Sequence, residues 1–257
     1  MSFTKYFSSG KHIFVVAVFI LGAGFCLGFE PVKNKWNDFQ GKLGKSNIQL
    51  SLFLFPDGEI KGNYCYAKYG TKIQLHGQLS GNRIELAEFS GERPNAFFSG
   101  KVFTDSLNKF EGTWTDSAGI SSQEFRLSLT SVCGGTYEHR YEGLHGTDDD
   151  VEHFMQKAVS SILSDDRKWV ADHISYPVRV SLGKNNKTIT VKHRKQLLNY
   201  YDRIFHPDFK AEIRLFCISN LFVNYQGVML GNGQLWIHNM PGASESGQKY
   251  RIIAVNN

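Results

Sequence analysis

At 257 residues, with 41% hydrophobic, 14% aromatic and 21% charged side chains, the chain is long enough for two compact units and too apolar for a disordered one. Its formal charge of +5 includes two lysines, Lys5 and Lys11, that precede an apolar N-terminal run, which leaves only +3 for the remainder. Charges of both signs alternate through that remainder and the longest basic block is 192–195, so the footprint needed for phosphate contacts is missing and no nucleic-acid partner is expected.

In chain order, residues 13–28 form an uncharged apolar stretch behind Lys5 and Lys11, with Gly22, Ala23 and Gly24 near its end. This is the pattern of an export signal, so 1–28 reads as a signal peptide or membrane anchor. The stretch falls short of the ~20 residues that span a bilayer comfortably, which favours cleavage. Cys26 invites lipidation, but Phe25 stands where a small residue would be needed. Everything after this segment is expected on one side of the membrane, periplasmic or secreted, or else anchored and facing the periplasm. The only membrane contact expected is through the N-terminal segment.

Residues 45–132 alternate apolar and polar with period two, broken by turns such as Pro56-Asp57-Gly58 and Ser80-Gly81-Asn82. Runs such as Ile48, Leu50, Leu52, Leu54 and Ile60, Gly62, Tyr64, Tyr66 predict roughly seven short antiparallel strands, a meander open or closed into a small barrel. Gly62, Gly77, Gly100 and Gly112 fall at inward positions, where a missing side chain lets a strand curve or an aromatic ring lie on the backbone. The elements Gly62-Asn63-Tyr64-Cys65-Tyr66, Leu75-His76-Gly77 and Gly112-Thr113-Trp114 give this half a resemblance to the lipocalin-like and lysozyme-inhibitor-like barrels of the bacterial envelope.

Between 131 and 146 the alternation stops and a linker is expected. Thr147 followed by Asp148, Asp149 and Asp150 then caps a helix, with an apolar face through Val151, Met155, Ala158 and Ile162. A second short helix starts at Asp165-Asp166 and is read as ending at Pro177, and a third covers 192–204. Extended segments are predicted at 176–182, 187–191, 212–219, 221–230, 234–239 and 250–255, with Gly231-Asn232-Gly233 as a tight turn. The class is α+β: an N-terminal meander or barrel, then an α+β cone with a curved antiparallel sheet over 147–257. The order of elements and the closing pattern, 227–237 followed by 252–256, resemble the cone superfamily of nuclear transport factor two and ketosteroid isomerase. That resemblance implies a fold hosting enzymes, adaptors and binding modules, so it does not choose a function.

Three cysteines remain beyond the signal. In an oxidising compartment Cys65 and Cys133, both in the first unit, are the preferred pair; three separate buried thiols are the alternative.

The chemistry legible in the sequence is thin. A pocket in the cone could be lined by Asp172, Tyr176, Tyr201, Asp202 and Trp236, a carboxylate acting as base and a tyrosine as donor. No catalytic motif carries over to these positions, so no catalytic residue is assigned. His139, His145, Asp148, Asp149 and His153 lack the i, i+3 or i+4 pairs of a zinc site, and neither metal nor cofactor is expected. The run 242–247 is spelled like a nucleophile elbow but lies in a polar loop. The reading is therefore a binding protein that neutralises a protein partner, with loop residues Glu92, Arg93, Asn95, Asp116 and Ser117 as candidate contacts. Alternatives are a small-ligand protein or isomerase using the cone, and a structural envelope subunit. A homodimer would suit the open sheet.

Overall fold

The computed structural model describes residues 31–67, 69–103, 108–182, 187–240 and 250–257. The export segment with Cys26, the turn at 183–186 and the elbow-like run at 242–247 lie outside the described residues. No helix among those described is long and apolar enough to cross a membrane.

Eight strands close into an antiparallel barrel: β1 (Trp36–Leu43), β2 (Ser46–Leu54), β3 (Glu59–Tyr66), β4 (Ile73–Ser80), β5 (Arg83–Phe89), β6 (Pro94–Phe103), β7 (Lys109–Asp116) and β8 (Ser122–Cys133). Each pairs with the next, and β8 returns to β1 from Trp36↔Cys133 to Leu43↔Phe125. The barrel starts nine residues before position 45, because β1, with only Phe39, Gly41 and Leu43 inward, has a weak alternation of its own. Closure matters physically, since a closed sheet leaves no unpaired edge.

The inward residues fill the barrel. Phe39, Tyr64, Phe98, Phe110 and Phe125 are each at most 1% exposed, and their rings contact one another at 4.7 to 6.0 Å, Tyr64 against Phe98 at 5.3 Å and Phe98 against Phe125 at 5.3 Å. At Gly100 the rings of Phe125 and Phe110 come within 2.7 and 2.8 Å of where a Cβ would stand, so the glycine is what admits them.

The second unit places α1 (Asp148–Leu163) and α2 (Arg167–Asp172) before β9 (Ile174–Leu182) and β10 (Lys187–Val191). Then come α3 (Arg194–Ile204), α4 (Pro207–Ile213), β11 (Phe222–Asn224), β12 (Gly227–Leu230), β13 (Leu235–Asn239) and β14 (Tyr250–Val255). The sheet order is β10-β9-β14-β13-β12-β11, antiparallel except where β14 lies parallel to β9. Thr147 caps α1 through a reciprocal box with Asp150, at 3.2 and 3.0 Å.

Two sequence expectations fail locally. The segment 212–219 is not a strand: His206 accepts from the Phe209 backbone at 3.2 Å and Pro207 opens α4, which runs to Ile213. The second helix stops at Asp172, and Pro177 lies inside β9.

The stretch 134–147 is no free linker. Arg140 and Tyr141 are each 2% exposed, and the Trp36 indole donates to the Thr136 carbonyl at 2.9 Å. The core of the second unit extends across the junction to take in Trp36, Phe53 and Cys133 from the outer wall of the barrel.

Candidate functional site

Strand parity carries Glu88 to the barrel interior. Ile84, Leu86 and Glu88 share one face of β5, so the period that buries two aliphatic residues also buries a carboxylate, 4% exposed. Burial of a charge without partners is costly, and here three neutral donors converge on it. The Tyr64 hydroxyl donates to Oε2 at 2.6 Å, the Trp114 indole to Oε2 at 2.9 Å, and the Asn95 amide to Oε1 at 2.6 Å. Burial, then the hydrogen bond to Glu88 and the Glu88 charge, hold the Tyr64 phenol far above the usual tyrosine range, so it remains a donor. Among the described residues no lysine, arginine or histidine pairs with Glu88.

This cluster sits at the end of the barrel carrying the β1–β2, β3–β4, β5–β6 and β7–β8 loops. Tyr66 and Trp114, both half-buried, continue the packed interior toward that rim, Tyr66 against Tyr64 at 5.5 Å. The predicted contact residues gather here. Ala96 pairs with Asp116 across β6 and β7, and Ser117 N–H donates to the Asn95 carbonyl at 2.9 Å. Glu92 and Arg93 stand exposed on the β5–β6 loop. The Asp116 carboxylate accepts from the backbone of Ile120 at 2.8 Å and of Ser121 at 3.0 Å, while its own N–H donates to the Ser121 carbonyl at 3.0 Å. The β7–β8 turn is thereby fixed, with Ile120 held out at 87% exposure.

The sequence-predicted cone residues are not brought to one place. Asp172 bonds Arg194 at 2.6 Å, and beside it the Tyr176 hydroxyl donates to the Ala171 carbonyl at 2.9 Å; burial first, then the Asp172 charge, push that phenol up to about 12. Asp202 bonds Arg167 at 2.6 Å, and Arg167 lies over the Tyr201 ring at 4.9 Å. Tyr201 is fully buried in the core, and Trp236 on β13 packs edge-on against Phe222. Among the described residues no hydrogen bond, ion pair or ring contact joins either pair to Trp236.

The disulfide joins Cys65 to Cys217, not to Cys133, which is a buried free thiol. The reason is parity and packing. Cys65 points outward from β3 onto the second unit, where its Cα lies 6.5 Å from that of Cys217. Nearby on that wall Asp38 meets Arg140 at 2.8 Å, Ser51 donates to Asp38 at 2.5 Å and Asn63 donates to Asn220 at 3.3 Å. A disulfide fits an oxidising, extracellular or periplasmic compartment.

Glu88 is the residue missed by reading the sequence; its parity with Ile84 and Leu86 was the available signal. Open clefts lie elsewhere, about 420 Å3 on the outer wall beside Ser99 and Thr113 and about 190 Å3 between the units past Gln40, Gln49 and Met229. Neither holds an unpaired buried charge.

No protein-family model matches the chain, and no curated protein matches it. Solved structures similar to it include apo shwanavidin, 17% identical with a TM-score of 0.31 over 40% of this chain and 100% of that one. The rhizavidin–biotin complex is 16% identical with a TM-score of 0.30, covering 37% and 99%. Rhizavidin is 14% identical with a TM-score of 0.32, covering 44% and 97%.

Proposed function

We propose that this is an exported binding protein that engages a protein partner through the loop end of its barrel and neutralises it. The observation carrying the reading is the β7–β8 turn. Asp116 fixes this turn through its carboxylate and presents Ile120, a large apolar side chain, at 87% exposure. Preorganised apolar tips lose little entropy on docking, which suits recognition by a rigid loop. Strands β5, β6 and β7 face away from the β1–β3 wall covered by the second unit, so the Glu92-Arg93 and Ile120 loops are sterically open.

Support for the second unit as a cone of the nuclear transport factor two type comes from its order, two helices, a hairpin, two further helices and then the closing strands. In this reading it is the mount for the barrel, and its filled core has no catalytic part.

The test is parallel capture from an envelope extract of the source cells with the purified protein and its Ile120→Asp variant. A stoichiometric protein retained by the first and lost by the second supports the reading. Equal retention by both, or retention of no protein, overturns it.

A further inference from the structure

Two acceptors at the barrel rim are left wanting a donor. The Glu88 carboxylate carries three hydrogen bonds from neutral groups and, among the described residues, no cation, and Oε1 takes only one of them, from Asn95. Asn95 in turn has its Oδ1 buried without a partner. The orientation of that amide is fixed chemically, because the opposite one would set its oxygen against the carboxylate. A carboxylate and an amide oxygen of bonded neighbours thus both stand as acceptors, beside the Trp114 indole N–H.

We propose that the barrel rim is a binding site for a cationic nitrogen, an alkylammonium or guanidinium group, held between Glu88 and Asn95. Such a group supplies the positive charge that the buried carboxylate lacks and the N–H that Asn95 Oδ1 lacks. Trp114 turns its N–H edge to Glu88, so the preference for a cation over a neutral donor of the same size rests on the Glu88 charge. The charge comes from a free amine or from a lysine or arginine side chain; in the second case the inference rests on the protein-partner reading above.

The chain holds four tryptophans, so its indole N–H signals are few, and Trp114→Phe identifies that of Trp114. The 15N-labelled protein is titrated with butylammonium chloride and with the amide of N-acetylarginine, against 1-butanol and sodium chloride as controls. Saturable displacement of the Trp114 indole signal by the cations alone is expected. Glu88→Gln, which keeps shape and removes charge, is expected to weaken it about tenfold or more. If that variant does not fold, Asn95→Ala is expected to weaken it as well. An unmoved signal, which would mean water alone fills the space, overturns the proposal, as does equal displacement by butanol or in Glu88→Gln. An arginine-bearing peptide that binds more tightly than the free arginine amide assigns the cation to a protein side chain. Equal binding keeps the site but assigns it to small amines, against the protein-partner reading.

Discussion

The Arg140 guanidinium lies 2.8 Å from Asp38 Oδ2, two charges 102 residues apart in the chain and both withdrawn from water. Arg140 also donates to Ser51 Oγ at 2.9 Å and to the carbonyls of Leu221 at 3.1 Å and Asn220 at 3.2 Å, and lies over the Trp36 ring at 5.3 Å. It therefore ties β1, β2 and the segment before β11 through one side chain. Arg140→Ala is expected to lower stability by about 3–5 kcal/mol, because it leaves Asp38 buried without its countercharge. Replacing both, Asp38→Ala with Arg140→Met, is expected to cost less than the sum of the single changes. Urea unfolding of the four proteins measures both quantities.

The bond between Cys65 and Cys217 closes a loop across 152 positions. Chain-entropy arguments give a loop of this length about 5 kcal/mol, an upper figure where the unfolded chain retains structure. Cys65→Ala, Cys217→Ala and chemical reduction are each expected to shift the unfolding midpoint in the same direction by similar amounts. Peptide mapping without reduction should return the 65–217 crosslink, with Cys133 alkylated only after denaturation.

The pH dependence is expected to appear on the alkaline side. Burial first, and then the Asp38 charge, push the Cys133 thiol up from 9.0 to about 11; burial first, and then Asp150, push the Tyr250 phenol up from 10.0 to about 12. A raised folded value favours the protonated form, so this stability is intact below the unfolded values and drains away as pH climbs through the folded ones. Unfolding free energy is thus expected to hold to about pH 9 and to fall between pH 9 and 12, followed by urea titration at stepped pH. Tyrosinate absorbance should rise together with loss of structure.

Gly100→Val is expected to cost about 1–3 kcal/mol or more, since its side chain would need the space held by the Phe125 and Phe110 rings. The same change at Gly81, an exposed turn position with open space around it, meets no such obstacle and suffers only from its positive φ of 60°. Comparing the two melting curves separates collision from backbone conformation.

Much of the barrel was legible because a one-residue alternation leaves a strong imprint: β2, β3, β4 and β8 follow from Ile48, Ile60, Ile73 and Phe125 and their partners at every second place. β1 escaped because two of its eight residues, Asn37 and Asp38, are polar yet buried, through contacts across the fold that the local pattern does not carry. The cysteine pairing escaped because it is set by the docking of two units, and spacing within a chain has no information about which outer wall another unit will cover. The same holds for Arg140, which as a sequence letter in a glycine-rich stretch looks solvated. Glu88 differs, in that its inward parity was written in β5 and only the habit of reading charges as outward concealed it.

Asp38 on β1, Asn63 on β3 and Cys65 further along β3 mark three places, not on one line, where the barrel is fastened to the body beside it by an ion pair, by hydrogen bonds and by a covalent bond. Rotation of one half about the other would have to break the ion pair and the hydrogen bonds while the covalent bond holds. Whatever seats at the rim is therefore expected to meet a bearing of nearly constant angle, and a signal carried by one half swinging against the other is not expected.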